Sequence, residues 1–329
     1  MTTSAPTTAV IPGLAHPVSR AVLGTMTFGD TVDRDTSRQM IDAALDGGIT
    51  LVDTANGYAG GETERILGEV LPPEDGISLA TKAGMPHPDA GDHAPLSADG
   101  LRLSLAGSLR RLRRERVELF YLHQPDRSTP IEETLTQLAA FLEEGRILAW
   151  GVSNFAAWQI ADLDAAAQRV GLPRPVVAQQ LYNLVARRLE TEYAEFAQVH
   201  GLHTMVYNPL GGGLLTGRHS FADTAGTGRF GDSRLAGMYR ERYWNESLFA
   251  AIGRLTAIAQ GAGLPLTELA LRWLVSQETA DSVLLGGSKV SHLRANLDAL
   301  AAGPLDEDVL AAIAEVGTEL SGPMPAYHR

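Results

Sequence analysis

Four polar residues lie at or just after the ends of apolar runs that are typical of buried β-strands. Asp53 and Lys82 come directly after two such runs, Tyr58 lies in the turn that follows Asp53, and His123 comes directly after a third run. A phenol can donate a proton to an oxygen atom, an ammonium can stabilise the resulting phenolate, and a carboxylate can hold the ammonium in place. A neutral imidazole can orient a carbonyl group and stabilise charge on its oxygen. Together, these residue types predict the proton-transfer half of a carbonyl reduction in which a nicotinamide supplies hydride.

In this chemistry Tyr58 would act as the general acid, and that role requires its pKa to be lowered. The pKa of a tyrosine is about 10 in water, and we expect the ammonium of Lys82 to lower it by a few units. Each residue taken singly has another interpretation. Asp53 could cap the following loop, Tyr58 could be a half-buried turn aromatic, Lys82 could be the Schiff-base lysine of an aldolase, and His123 could be structural. Their shared position at strand ends, in this order, favours a catalytic role for all four.

The apolar runs before these residues belong to a longer series in which strand and helix patterns alternate. Strands are predicted over Arg20–Leu23, Ile49–Val52, Ile77–Thr81, Leu119–Leu122, Leu148–Val152, Val176–Gln179, His203–Tyr207 and Ser282–Leu285. Helices are predicted over Asp35–Gly47, Glu62–Leu71, Ala98–Leu112, Ile131–Glu144, Ala156–Val170, Glu190–His200, Leu266–Val275 and Ser291–Leu300, and Asp306 precedes a final helix that runs to about Leu320. This alternation predicts an α/β fold, a single (β/α)₈ TIM barrel. The carboxyl ends of its parallel strands open on one face, where the four polar residues should converge.

The ends of the chain and three long connections depart from the regular alternation. We expect residues 1–17 to form a disordered leader or an N-terminal hairpin, and residues 18–329 to form the barrel without a second domain. The long connections are Ala83–Ser97, Leu210–Trp244 and the tail Leu320–Arg329. Loops of such length inside a compact domain are usually functional. We therefore expect them to lie over the carboxyl-terminal face and to shape the pocket.

Composition excludes several classes of function. The chain has 27 Lys and Arg against 39 Asp and Glu, and its net charge of -12 argues against a nucleic-acid partner. We interpret the basic run from Arg110 to Arg116 as a solvated helix face. There is no cysteine and the histidines show no HExxH spacing, so we expect no disulfide and no metal. The start lacks a signal-peptide pattern, and no apolar run approaches the ~20 residues that span a bilayer. These features predict a cytoplasmic protein without a membrane partner.

Motifs along most of the chain resemble those of one enzyme superfamily, the aldo-keto reductases. They are Asp53–Tyr58 with Glu62, Thr81–Lys82, Leu122–His123, Gly151–Phe155, Gln179–Asn183, Tyr207–Leu210, Gly213–Gly217 and Gly286–Asn296. The resemblance covers roughly Leu23 to Arg329. Shorter segments are similar to the aflatoxin-aldehyde reductase branch, whose members reduce dicarbonyls and succinic semialdehyde: Gly24–Met26, Ser128–Thr134, Gly228–Phe230, Tyr239–Trp244 and Pro325–Arg329. The branch includes dimers, so the resemblance implies a monomer or a homodimer.

The resemblance also implies a nicotinamide cofactor and the residues that bind it. Ser153, Asn154 and Gln179 would hydrogen-bond the carboxamide, and Tyr207 would stack on the ring. Further cofactor contacts are implied for Leu210, Gly212, Gly286, Ser288, Lys289, His292 and Asn296. Without the resemblance, Ser153 and Asn154 could cap the helix that follows, and Tyr207 could belong to the core. Lys289 beside a 2′-phosphate favours NADPH. Many family members carry Arg or Gln where His292 stands, which leaves NADH as an alternative.

Two of the three predicted substrate contacts lie in the long connections. We expect Met26, Arg229 and Arg329 to contact a small-molecule carbonyl substrate, with the two arginines binding a carboxylate remote from the reacting group. The predicted activity is NADPH-dependent reduction of aldehydes or ketones to alcohols. One alternative is a regulatory subunit that keeps the barrel and binds NADPH without turnover, like the β-subunits of potassium channels. The other alternative is a Schiff-base aldolase that uses Lys82.

Overall fold

Eight parallel strands close into a barrel, in which they follow one another in chain order and the last strand pairs with the first. The computed structural model describes residues 8–71, 76–222 and 228–322. The barrel strands are β3 Ala21–Gly24, β4 Leu51–Asp53, β5 Ser78–Ala83, β6 Val117–Leu122, β7 Ile147–Ser153, β8 Val177–Leu181, β9 His203–Tyr207 and β10 Ser282–Leu285. All eight lie within a few residues of the predicted strands. The predicted (β/α)₈ barrel is confirmed.

Helices surround the barrel on its outer side. They are α1 Arg34–Asp46, α2 Glu62–Val70, α3 Ala98–Leu112, α4 Ile131–Glu143, α5 Ala157–Arg169, α6 Tyr193–His200, α7 Ala236–Tyr243, α8 Glu246–Gly261, α9 Leu266–Val275, α10 Val290–Ala301 and α11 Glu307–Ser321. Apolar faces of these helices pack on the outward side chains of the strands in one continuous core. None of the helices in the described part of the chain is long and apolar enough to cross a bilayer.

Two helices lie where the sequence predicted none. Helix α7 lies inside the long connection after β9, and α8 follows it directly. The signals for α8 were present in the chain: Asn245 caps its first turn, and Ile252, Leu255 and Ala259 recur at helical spacing on its buried face. The connection from β9 to β10 therefore contains helices α7, α8 and α9 and is not one extended loop.

A short antiparallel hairpin joins β1 Thr8–Ala9 to β2 Val18–Ser19, just before the barrel begins. Ile11 and Val18 are buried and belong to the cluster of apolar side chains inside the barrel. The predicted N-terminal hairpin is thus present, and it packs against the interior of the barrel.

The register of the strands determines which side chains face the interior. Leu51, Ala80 and Tyr121 belong to the inner cluster. Side chains alternate between the two faces of a strand, so the residues two positions further on also point inward. Those residues are Asp53, Lys82 and His123. The same rule applied to Ala149, Val177 and Met205 of the inner cluster directs Ser153, Gln179 and Tyr207 inward. Six polar side chains of the predicted site therefore point into one end of the barrel.

Candidate active site

The ammonium group of Lys82 is at the centre of the inward-pointing polar residues. It is fully buried, and its Nζ donates to an Asp53 carboxylate oxygen, to the Thr54 carbonyl at 2.8 Å and to the Tyr58 hydroxyl at 3.3 Å. Three donors thus meet three acceptors, which is the full capacity of an ammonium group. Burial alone would lower the pKa of Lys82, but the Asp53 carboxylate and Tyr58 outweigh it and raise that pKa. Lys82 is therefore held as a cation.

Asp53 is fixed from both sides. Its second carboxylate oxygen accepts a hydrogen bond from Gln179 Nε2 at 2.9 Å, across the barrel. Its carbonyl accepts from the backbone and side chain of Thr25, at 3.1 and 2.8 Å. Burial raises the pKa of Asp53 despite the opposing effects of Lys82 and Gln179. The sequence did not predict the contact between Gln179 and Asp53.

Tyr58 is presented by a tight turn between β4 and α2. After Tyr58 the backbone enters the left-handed region at Ala59, Gly60 and Gly61, with φ values of 47°, 65° and 89°. This turn brings the phenol beside the ammonium of Lys82, whose Nζ also lies 5.0 Å from the centre of the tyrosine ring. Two glycines make the geometry accessible because they adopt positive φ without a steric penalty.

The net effect on Tyr58 differs from the prediction. Burial raises the pKa of Tyr58 above 10.0, and the lowering effect of Lys82 does not offset it. The predicted fall in this pKa is wrong, because the argument from sequence counted the charge of Lys82 and not the loss of water around the phenol. A protonated phenol is nevertheless the form that can donate a proton.

His123 completes the group. Its ring meets the Tyr58 ring edge to face, with centroids 5.9 Å apart. Its backbone N–H donates to the Ala83 carbonyl and its carbonyl accepts from Asn154 Nδ2, so the residue is anchored on both sides. Burial, reinforced by the charge of Lys82, lowers the pKa of His123 to about 3. The imidazole is therefore neutral at physiological pH, as the sequence predicted.

Residues at the carboxyl ends of β7, β8 and β9 form a second polar group beside the first. Asn154 Nδ2 donates to the His123 carbonyl at 2.9 Å and to Ser153 Oγ at 3.1 Å, while its Oδ1 accepts from the Tyr207 hydroxyl at 2.7 Å. Both the Nδ2 and the Oδ1 atoms of Asn154 are thus engaged in hydrogen bonds within the protein. Ser153 keeps a hydroxyl hydrogen that can be donated, and Gln179 keeps a carbonyl oxygen that can accept. Such a pair is complementary to a primary carboxamide.

A cluster of basic groups lies at the start of α10. His292 is half-buried, its Nδ1 lies 3.5 Å from Ser288 Oγ, and its pKa is lowered by burial and by the charges of Arg218 and Lys289. Within the described residues, neither Arg218 nor Lys289 forms an ion pair with a carboxylate. Three basic side chains at the N-terminus of a twelve-residue helix favour an anion. The sequence analysis missed Arg218, although it directly follows the glycine-rich run after β9.

The other predicted cofactor residues lie on the same face with different surroundings. Gly212 has a φ of 72°, its N–H donates to Asn208 Oδ1, and the Tyr239 ring packs against its Cα. Leu210 packs against the core, and Asn296 is buried two turns into α10. A side chain at Gly286 would meet the Gly24 carbonyl at 3.4 Å.

Of the predicted substrate residues, Met26 and Arg229 are described and Arg329 lies outside the described residues. Met26 is partly buried against the core. Arg229 Nη1 donates to the Tyr239 hydroxyl at 2.5 Å, and its guanidinium lies 5.3 Å from the centre of that ring. Arg229 Nη2 would lie 3.8 Å from a Cβ at Gly286. Arg229 therefore lies between Tyr239 of α7 and the segment after β10.

The structure is thus a closed barrel with a buried ion pair, a phenol and a neutral imidazole at the carboxyl ends of its strands. A sequence profile of the Aldo/keto reductase family matches residues 20–318. Human aldo-keto reductase family 7 member A3 is 37% identical, with 96% of this chain and 100% of the relative covered. Human aflatoxin B1 aldehyde reductase member 2 is 36% identical, with coverages of 95% and 90%. The solved glycerol dehydrogenase AKR11B4 from Gluconobacter oxydans superposes with a TM-score of 0.77 at 26% identity, with 98% of each chain covered.

The chain therefore belongs to the aldo/keto reductase family and is an NAD(P)-dependent oxidoreductase. The predicted resemblance to the superfamily and to its aflatoxin-aldehyde branch is confirmed. A probable voltage-gated potassium channel subunit beta from Arabidopsis thaliana is also similar, at 30% identity over 85% of this chain and 86% of the relative.

The low pKa of His123 is directly measurable. The His123 ring signals, assigned by their loss in a His123→Asn variant, should keep the neutral pattern in nitrogen-15 NMR spectra from about pH 8 to about pH 5. The cation forms only as the pH approaches the folded-state pKa of about 3. A midpoint near ~6.5, the value of an exposed histidine, would show that burial does not control this ring.

Proposed function

We propose that the protein catalyses NADPH-dependent reduction of aldehydes or ketones to alcohols, with Tyr58 as the proton donor. The observation that carries the proposal is the contact of one buried ammonium with both the Asp53 carboxylate and the Tyr58 hydroxyl. The bound nicotinamide would supply hydride to the carbonyl carbon. The protein would supply the proton to the oxygen, and the acid must then carry a stabilised negative charge. An adjacent, fully hydrogen-bonded cation meets that requirement.

Each residue of the group has one task in this reaction. Tyr58 gives its proton to the carbonyl oxygen, and the positive charge of Lys82 stabilises the phenolate that remains. Asp53 keeps Lys82 charged and in place. Neutral His123, edge to face with Tyr58, can donate a hydrogen bond to the same carbonyl oxygen without competing as an acid. The rigid contacts around these groups hold them in position before the substrate arrives.

The polar groups beside the tetrad fit a nicotinamide cofactor. Ser153 and Gln179 would bind the two ends of the carboxamide, and Tyr207, hydrogen-bonded to Asn154 through its hydroxyl, would present its ring face to the nicotinamide. Arg218, Lys289 and His292 would surround a phosphate of the adenosine part. A cluster of basic side chains favours NADPH over NADH, because only NADPH carries the 2′-phosphate.

The two alternative functions, a Schiff-base aldolase and a regulatory subunit, differ from the reductase in observable properties. A Schiff-base aldolase needs a neutral lysine amine, whereas Lys82 donates to three acceptors and its pKa is raised. The contacts of Lys82 therefore weigh against the aldolase. A regulatory subunit remains an alternative because a relative named as a channel subunit shares the family. Steady oxidation of NADPH by an aldehyde distinguishes the proposed reductase from a regulatory subunit, since a subunit without turnover would bind NADPH and not oxidise it.

The first test of the proposal is the Tyr58→Phe variant. Its kcat should fall by about 10²–10⁴, because the change removes the proton donor and little else. NADPH oxidation would be followed with succinic semialdehyde, methylglyoxal, a nitrobenzaldehyde and a bulky ketone. The matched control is Tyr193→Phe, which removes a buried hydroxyl that contacts Thr204 on the outer side of β9. Retention of more than about a tenth of the activity by Tyr58→Phe would show that another group donates the proton.

The basic cluster predicts cofactor preference. Lys289→Ala and Arg218→Ala should each weaken NADPH binding by about ten- to hundredfold, the effect of one charge-assisted hydrogen bond, and should leave NADH binding nearly unchanged. Dissociation constants from the quenching of protein fluorescence would show this. Arg294→Ala, an exposed change on the same helix, is the control. Equal weakening of both cofactors would place the phosphate elsewhere, and an effect of Arg294→Ala alone would identify that residue as its ligand.

Arg229 is proposed to bind a carboxylate at the remote end of the substrate, because its guanidinium projects from the long loop and Nη2 has no protein acceptor among the described residues. Arg229→Gln should raise the KM for succinic semialdehyde by about tenfold or more and should spare an uncharged aldehyde of similar length. Arg234→Gln, on the same loop, is the control. If both aldehydes are affected equally and NADPH binds more weakly, Arg229 serves the cofactor instead, as its position near Gly286 would allow.

A further inference from the structure

A second buried ionic group lies behind the tetrad, on the outer side of the barrel wall. Thr81, the residue before Lys82, points outward from β5, and its hydroxyl donates to Glu64 Oε1 of α2 at 2.6 Å. Glu64 Oε2 accepts from Arg111 Nε at 2.8 Å. Thr81 and Glu64 are fully buried, and the side chain of Arg111 is only 11% exposed. The interpretation of the basic run as a solvated helix face is therefore wrong for Arg111. A chain of hydrogen bonds thus runs from the strand of Lys82 to the end of α3.

Arg111 also contacts the turn that presents Tyr58. A Cβ at Gly61 would lie 3.0 Å from both Cδ and Nε of Arg111, so the arginine stem packs directly against this residue. Gly61 is buried, has a φ of 89° and joins the Tyr58 turn to α2. Arg111 therefore supports the far side of the turn whose near side carries the phenol.

The guanidinium of Arg111 has a third contact, with the loop after β5. Its Nη1 and Nη2 donate to the two carboxylate oxygens of Asp89 at 3.1 and 2.7 Å. Asp89 packs so closely on α3 that a Cβ at Gly107 would lie 2.2 Å from its carboxylate. The loop that leaves the strand of Lys82 is thus attached to the same arginine as the strand itself.

We propose that Arg111, with Glu64 and Thr81, is a positioning group that sets the separation between the Lys82 ammonium and the Tyr58 hydroxyl. The two groups lie on different segments, β5 and the turn before α2. Inside the barrel their polar atoms meet in the 3.3 Å contact, and the backbone N–H of Asn56 donates to the Lys82 carbonyl at 3.1 Å. Outside the barrel, Glu64 holds β5 through Thr81, while Arg111 holds both Glu64 and Gly61. The inference rests on the proposed reduction, because the separation matters only if Tyr58 donates the proton.

The test uses a change that removes one hydrogen bond and leaves no charge without its counter-ion. Thr81→Val keeps the shape of the side chain and removes the donor to Glu64. The matched control is Thr204→Val, which removes a buried outward-facing hydroxyl on β9 that contacts Tyr193 at 2.9 Å, away from the tetrad. Thr81→Ser restores the hydroxyl. Arg111→Lys is a second variant, since it keeps the charge but cannot contact Glu64 and both Asp89 oxygens together.

Thr81→Val should lower kcat by about ten- to hundredfold while the dissociation constant of NADPH stays unchanged, because the effect is on alignment of the reacting groups. NADPH deuterated at both C4 positions should reveal a larger isotope effect on kcat than in the wild type, since transfer becomes slower relative to the other steps. A loss of folded protein would lower kcat without changing the isotope effect. Thr81→Ser should retain most of the wild-type kcat, and Arg111→Lys should behave like Thr81→Val.

A crystal structure of Thr81→Val should show the distance between Lys82 Nζ and Tyr58 Oη increased from 3.3 Å. If Thr81→Val matches Thr204→Val in kcat and isotope effect, the positioning role is refuted while the reductase assignment stands. If wild-type protein fails to reduce any carbonyl of the panel, the proposed function itself is refuted, whatever the variants do.

Discussion

The structure depends on one constraint, which is that the barrel must bury the charges of Lys82 and Asp53 without leaving either unpaired. Removing two such charges from water costs several kcal/mol each, and their attraction offsets this only when every remaining donor and acceptor is satisfied. Acceptors from β4 and from the turn after it satisfy Lys82, and a donor from β8 satisfies Asp53. Strands β4, β5 and β8 and the Tyr58 turn are therefore joined by hydrogen bonds to a single ion pair.

The same constraint explains the protonation states. In this environment, burial works against every charged form, so the imidazole of His123 stays neutral and the phenol of Tyr58 stays protonated. Lys82 keeps its charge because Asp53 and Tyr58 raise its pKa, whereas burial raises the pKa of Asp53 against the opposing effect of Lys82. A site built in this way holds a proton on the phenol and a permanent cation beside it. This is the arrangement that the proposed transfer of a proton from Tyr58 requires.

Around this centre, hydrogen bonds between side chains and backbone join the ends of neighbouring strands. Asn154 links the segments after β6, β7 and β9, and Asn208 links the segment after β9 to the Tyr243 hydroxyl of α7. Both asparagines adopt positive φ, at 63° and 61°, which asparagine tolerates better than most side chains. The long connection after β9 is thereby attached to the carboxyl-terminal face of the barrel.

The sequence alone determined the barrel, the family and the end of the barrel at which chemistry would occur. The barrel follows from local patterns, which are apolar runs of strand length and helical periodicity, and its polar face follows from polar residues directly after those runs. The family follows from the resemblance of motifs along the chain. Helix α8 had the same kind of signal and was overlooked.

Only the tertiary structure decided the rise in the pKa of Tyr58, the contact of Gln179 with Asp53, the place of Arg218 beside His292 and the support of the Tyr58 turn by Arg111. Each of these depends on distances and burial between residues far apart in the chain. A sequence pattern predicts the face of a strand or helix on which a side chain lies. It does not predict the distance from that side chain to a partner far along the chain, or how deeply the side chain is buried.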